Sequence, residues 1–141
     1  MDIIAKYLTS DCKLTKLADH SAANTSTITS AEVDMAGFSG VVFFSSYGTA
    51  AANNVATVTA SDTSAGEADT TTTCTSGTSD EDVIIDVFEP TYRYLKVAFA
   101  RGTSSTLESI WALQYGARSK AQSSDLAGTS NVTQATSLTL A

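Results

Sequence analysis

Cysteine, proline and histidine are nearly missing from this chain: two Cys, one Pro and one His in 141 residues. Cys12 and Cys74 lie far apart and form no CxxC pair, which excludes a zinc ribbon and a disulfide framework. His20 stands alone in the polar stretch ADHSAAN with no Ser or Cys motif beside it, so it reads as a surface histidine. No GxSxG, HExxH or P-loop is present. Long apolar runs are also missing, and a membrane-spanning helix needs about 20 such residues. The start, MDIIAKYLTSDC, lacks the apolar core and cleavage site of a secretion signal, so the expected place of synthesis is a cytoplasm, with no membrane partner. Charge is scarce as well, at 16% of residues, and its balance is −7. That excludes a general nucleic-acid binder, which needs a basic footprint.

What the chain has instead is Ser and Thr, about 40 of its residues, and 43% hydrophobic residues. Thr favours extended chain, and with one Pro and eight Gly the composition leans to an all-β fold. The few charges are segregated. No Lys or Arg occurs between Lys16 and Arg93, an interval that holds eleven Asp and Glu. Arg93, Lys96, Arg101, Arg118 and Lys120 then follow with only Glu108 among them. An acidic middle followed by a basic strand pair can hold like subunits together or hold the protein on a charged surface. Those five cations are the expected interface set.

The hydropathy pattern divides the chain into an N-terminal arm or edge strand (1–24), a β-sandwich domain (25–118) and a C-terminal extension (119–141). A first strand is expected near residues 27–35. VVFFSSYG, residues 41–48, is apolar on both faces at its start, which implies that both faces are covered. NVATVTAS alternates as a half-buried strand. Residues 62–82 are polar and low in complexity, expected as a long loop with one short strand. DVIIDVF, residues 82–88, places Val83, Ile85 and Val87 inward and ends near Pro90.

YRYLKVAFARG and LESIWALQYG, residues 92–102 and 107–116, both alternate and are expected to form a hairpin around 102–106. In that register Arg101 faces Leu107, Val97 faces Trp111, Leu95 faces Leu113 and Arg93 faces Tyr115. Leu95, Val97, Phe99, Trp111 and Leu113 then make the core face, and burial holds the register. The arginines cap its rims with wet head groups, Arg93 stacked on Tyr115. The extension is mostly uncharged. Within NVTQATSLTL, Val132, Gln134, Thr136 and Leu138 alternate loosely with Thr133, Ala135 and Ser137, a pattern suited to adding a strand to a neighbouring subunit.

Chemistry is hard to find. Asp62, Glu67, Asp69, Glu81 and Asp86 are candidate carboxylates for glycoside hydrolysis, but they fall in loop sequence or on outward positions. Asp62, Glu67, Asp69, Asp80 and Asp82 offer oxygen ligands for calcium without EF-hand spacing. Tyr47, Tyr92 and Tyr94 are candidates for stacking on a sugar, though strand tyrosines more often rim a core. The expectation is no enzyme and no cofactor.

Residues 92–120, YRYLKVAFARGTSSTLESIWALQYGARSK, resemble the C-terminal hairpin of small tailed-phage virion proteins, with their R-Y-L-K-V-like strand, R-G-T turn and Q-Y-G-A-R-like strand. DMAGFSGVVFFSSYGTA, residues 34–50, resembles an earlier strand of the same group. The resemblance covers about a third of the chain and implies an antiparallel, jelly-roll-like β-sandwich that decorates or cements the outside of a capsid. The implied partners are the major capsid protein and like copies, with a trimer expected. The R-Y-L-K-V-like strand also resembles discoidin-type lectin domains, which implies a carbohydrate-binding adhesion module as the alternative. A neck or tail component shares the fold and differs in location.

Overall fold

The computed structural model describes residues 12–75 and 81–117. Among them there is no helix, and antiparallel sheets pack together as a β-sandwich. The strands are β1 (Lys13–Ala18), β2 (Ser21–Asn24), β3 (Ile28–Thr29), β4 (Val33–Asp34), β5 (Gly40–Ser46) and β6 (Val55–Ser61). They continue with β7 (Thr70–Thr75), β8 (Asp82–Phe88), β9 (Tyr94–Ala100), β10 (Ser105–Leu107) and β11 (Ile110–Tyr115). The first sheet runs β1-β11-β5-β8. The second runs β3-β9-β6-β7, with β4 also on β9 beside β3. β2 and β10 pair as a separate ribbon at one end.

Period-two alternation builds the core. Val41, Phe43, Val83, Ile85, Ile110 and Ala112 point inward from the first sheet. Ala56, Val58, Leu95, Val97 and Phe99 meet them from the second, across the roughly 10 Å that separates packed sheets. Polar side chains tie the layers together where apolar contact ends. Tyr47, 1% exposed, donates its hydroxyl to Ala100 O at 2.8 Å and packs its ring 5.9 Å from Phe99. Gln114, 2% exposed, donates Nε2 to Asp34 O at 2.8 Å. The Tyr47 hydroxyl and the Gln114 amide are thereby paired, as burial requires.

The expected hairpin does not form. β9 pairs with β6 and with β3 and β4, so Val97 lies opposite Val58 and Leu95 opposite Ala60 and Val33. β11 pairs with β1 and β5 in the other sheet, where Trp111 lies opposite Lys16 and Phe44. Residues 101–109 are a crossover between sheets, not a turn. Leu95, Val97 and Phe99 are buried, but Trp111 and Leu113 belong to the opposite face of β11 and are only half-buried. The inward face is Ile110, Ala112 and Gln114. Volume explains the choice: Ala112 lies directly opposite Phe43 and leaves room for its ring in a layer of native density, which an inward Trp111 would overfill.

Arg101 is the second correction. Its head is not wet: the residue is 6% exposed. Nε donates to Ser26 O at 2.7 Å, and Nη1 donates to Ala22 O at 2.9 Å, to Ser105 O at 2.8 Å and to Ser21 Oγ at 3.2 Å. The guanidinium fork thus satisfies carbonyls from three chain segments, two of them bordering the β2–β10 ribbon. Asn54, fully buried, works beside it: Nδ2 donates to Thr49 O at 3.0 Å, and Oδ1 accepts from Gly102 N at 2.9 Å.

Part of the expected arm is integrated into the sheets. β1 forms the edge of the first sheet and β2 pairs with β10, so the sandwich begins before residue 25. The first expected strand is split into β3 and β4, separated by Ser30, whose amide donates to Val97 O at 2.8 Å and whose Oγ accepts from Val97 N at 3.0 Å. Within the expected loop 62–82, residues 70–75 form β7, paired along its length with β6. The C-terminal extension 119–141 lies outside the described residues.

Two stability measurements follow from this arrangement. Arg101→Ala leaves buried carbonyls without donors and should cost about 2–4 kcal/mol in urea unfolding. Arg101→Lys should rescue little, because an ammonium cannot reproduce the fork. Phe43→Ala should cost about 3–5 kcal/mol, and Trp111→Ala distinctly less. Equal losses would place Trp111 in the core after all.

Candidate functional site

β5 and β11 are apolar on both faces, so the first sheet carries a second apolar surface on its outside. Rows across the strands are set by the pairing register. Lys16, Trp111, Phe44 and Ile84 lie side by side, followed by Leu14, Leu113, Val42 and Asp86. A third row holds Tyr115, Gly40 and Phe88. Ile84 is 69% exposed and Phe88 63%, while Trp111, Phe44, Val42 and Leu113 are half-buried by one another. Charge sits only at the margins, with Lys16 on β1 and Asp82 and Asp86 on β8.

The third row depends on a glycine. A side chain at position 40 would collide with the ring of Tyr115. With none there, Tyr115 lies across Gly40 and reaches the next strand, stacking on Phe88 with ring centroids 6.5 Å apart and planes 3° from parallel. Its hydroxyl donates to Asp86 Oδ1 at 2.6 Å. Aromatic cover of a strand glycine of this kind holds register. The bond to the carboxylate, helped by partial burial and the negative charge, pushes the Tyr115 phenol up to about 12.

The outer face of the second sheet differs in kind. Lys96 lies in a row with Thr59 and Thr71, and Ala98 with Thr57 and Thr73, so small polar groups replace aromatics. Of the five cations expected at an interface, Lys96 stands alone on this face and Arg101 is internal. Arg93 is held by Asp34, with Nε to Oδ1 at 2.8 Å and Nη2 to Oδ2 at 3.0 Å, and its guanidinium lies over Tyr94, 5.1 Å from the ring centre, not over Tyr115. Those bonds hold the Asp34 carboxyl below its ordinary 3.8. Arg118 and Lys120 lie outside the described residues. The three described cations, Arg93, Lys96 and Arg101, therefore do not converge.

Of the candidate carboxylates, Asp62, Asp69 and Asp86 make local hydrogen bonds, Asp62 Oδ1 accepting from Thr63 Oγ1 at 3.0 Å and Asp86 Oδ1 from the Tyr115 hydroxyl at 2.6 Å. Asp69 Oδ2 accepts from Asp62 N at 3.0 Å, and Glu32 accepts from Ser64 Oγ at 2.8 Å and Ala65 N at 2.9 Å, which together shape loop 62–69. Among the described residues no three His, Cys, Asp or Glu side chains are grouped to hold a metal. His20 Nδ1 lies 3.5 Å from Glu108 Oε1 on the surface. At the opposite end of the sandwich from Arg101, loops 35–39 and 89–93 enclose a depression of about 330 Å³ lined by Phe38, Glu89, Tyr92 and Arg93. Glu89 adopts φ 48° there, an uncommon conformation for a residue with a side chain.

The apolar outer face was not identified from the sequence as a site, although its signal is present. VVFF and IWAL are apolar in both phases of the alternation, so each strand needs cover on two sides. Comparison with protein-family models, curated proteins and solved structures finds no match.

The raised phenol gives a test of the Tyr115–Asp86 contact. Ultraviolet titration should show one tyrosine ionising near 12, and Asp86→Asn should return it towards 10. The sign for stability follows: a proton bound more tightly in the folded state favours folding below pH 10, and that contribution disappears as pH rises through 12.

Proposed function

We propose that this chain is a structural protein of a tailed-phage virion, decorating the outer capsid surface as a homotrimer that bridges subunits of the major capsid protein. The observation that carries the reading is the apolar outer face of the first sheet. Contiguous exposed apolar area of this kind marks a surface that another macromolecule covers. Flat aromatic rows on a rigid sheet suit attachment to a protein shell, where many modest contacts on one body act through effective concentration. Binding, not catalysis, is the task such a face performs.

Three further points support it. The resemblance of residues 34–50 and 92–120 to phage virion proteins points the same way. Strand order suits a jelly-roll-like sandwich: with β3 and β4 counted as one strand and the β2–β10 ribbon set aside, the sheets read 1-8-3-6 and 2-7-4-5. Low charge leaves little to keep this face in water. The depression beside Glu89 and Tyr92 favours the second reading, a sugar-binding adhesion module with its site in the end loops.

Co-sedimentation with mature shells stripped of the protein, across a salt series, separates the two. Saturable binding at a fixed ratio is expected, changing little with salt because the contact is apolar. Ile84→Asp with Phe88→Asp, both on exposed positions, should abolish it without unfolding the chain. Failure of the unaltered protein to bind shells would overturn the capsid reading, and a glycan array would then test the end-loop depression.

A further inference from the structure

The depression at the end of the sandwich has a rigid frame. Met35 N donates to Arg93 O at 2.8 Å and Glu89 N to Ser39 O at 2.7 Å, which ties loops 35–39 and 89–93 together. Phe38 N closes a turn on Met35 O at 3.0 Å, and Ser39 N donates to Tyr115 O at 3.0 Å. Asp34 grips Arg93 through two further bonds. A frame fixed at so many points holds its shape without a ligand.

The same frame limits what can bind. The amides of Met35, Phe38, Ser39 and Glu89 are all engaged, as are the carbonyls of Met35, Ser39 and Arg93. A ligand held by many hydrogen bonds finds few unused backbone partners here. One carboxylate and two aromatic rings remain. Glu89 is exposed, and among the described residues its side chain has no hydrogen-bond or ion-pair partner. The Arg93 guanidinium is balanced by Asp34, so the charge left at the depression is negative. Phe38 and Tyr92 line it, each packed against the core and only half-buried. Glu89 also holds φ 48°, a left-handed conformation that is strained for a residue with a Cβ. Glycine or asparagine makes such a turn at less cost, so the turn alone does not account for a glutamate.

We propose that this depression binds a methylated ammonium group of the choline type, with Glu89 as counter-ion and Phe38 and Tyr92 as π-faces. A primary ammonium has three N–H donors to satisfy, whereas a methylated one needs only negative charge and aromatic surface. The volume, about 330 Å³, falls at the lower end of the range for small-molecule sites. This ligand class differs from the sugar of the second reading. The site is separate from the apolar face, so the inference holds whichever partner that face has.

NMR titration of the full chain tests it, read at the amides of Gly37, Glu89 and Tyr92. Choline chloride should give saturable shifts there, beyond those caused by equal sodium chloride. Butylammonium and glucose should bind at least about tenfold more weakly. Glu89→Gln should weaken choline binding by about tenfold, and Tyr92→Ala likewise, while Glu67→Gln leaves it unchanged. If Tyr92→Ala disturbs the packing, Tyr92→Leu keeps the bulk and loses the π-face. Flotation with phosphatidylcholine vesicles separates the two sources of the group. Co-flotation that choline competes away names a lipid headgroup, and its absence names a free ligand; either result upholds the site. No saturable shift with choline, tighter binding of glucose or butylammonium, or choline binding that survives Glu89→Gln would overturn the proposal.

Discussion

Arg101 decides how the chain crosses from one sheet to the other. Its guanidinium collects carbonyls from Ala22, Ser26 and Ser105, which holds the β2–β10 ribbon against the end of the sandwich. A buried cation without a carboxylate among these partners is tolerable only because each of them is an oriented backbone dipole. With residues 101–105 committed to that clasp, β9 cannot fold back on β11 as a hairpin. The two strands instead become central strands of opposite sheets, and the interior between them is built from their inward faces. Asn54 and Tyr47 reinforce the same corner through Gly102 N and Ala100 O.

The consequence reaches the far side of the first sheet. Once Ile110, Ala112 and Gln114 face inward, period-two geometry sends Trp111, Leu113 and Tyr115 outward. β5 behaves alike, with Val41 and Phe43 inside and Val42 and Phe44 outside. An apolar outer face is then unavoidable, and Gly40 shapes it by letting Tyr115 lie flat as far as Phe88. The surface proposed to meet a shell is therefore the reverse side of the packing that forms the core.

Among the described residues, part of the acidic and basic segregation along the chain is internal business. Asp34 holds Arg93, Glu32 and Asp69 shape loop 62–69, and Arg101 serves the backbone. A charge pattern that reads as an interface in one dimension is in part taken up by local structure in three, at Arg93, Arg101, Glu32 and Asp69. Proposed attachment through apolar rows is consistent with that, since few charged groups on the first sheet are left to direct it.

Composition and alternation alone determined that the chain is all-β and that Leu95, Val97 and Phe99 face inward. They also placed strands at 41–47, 54–61 and 82–88, because period two and β-branched content are local properties of a strand. Partner choice is not local. β9 and β11 are equally compatible with pairing each other or with pairing β6 and β5, and the choice rested on Arg101, whose burial no neighbouring residue announces. The face of β11 was likewise undecidable from IWALQY, which is apolar in both phases. Only the tertiary structure settled it, because the space opposite Phe43 accepts Ala112 and not Trp111.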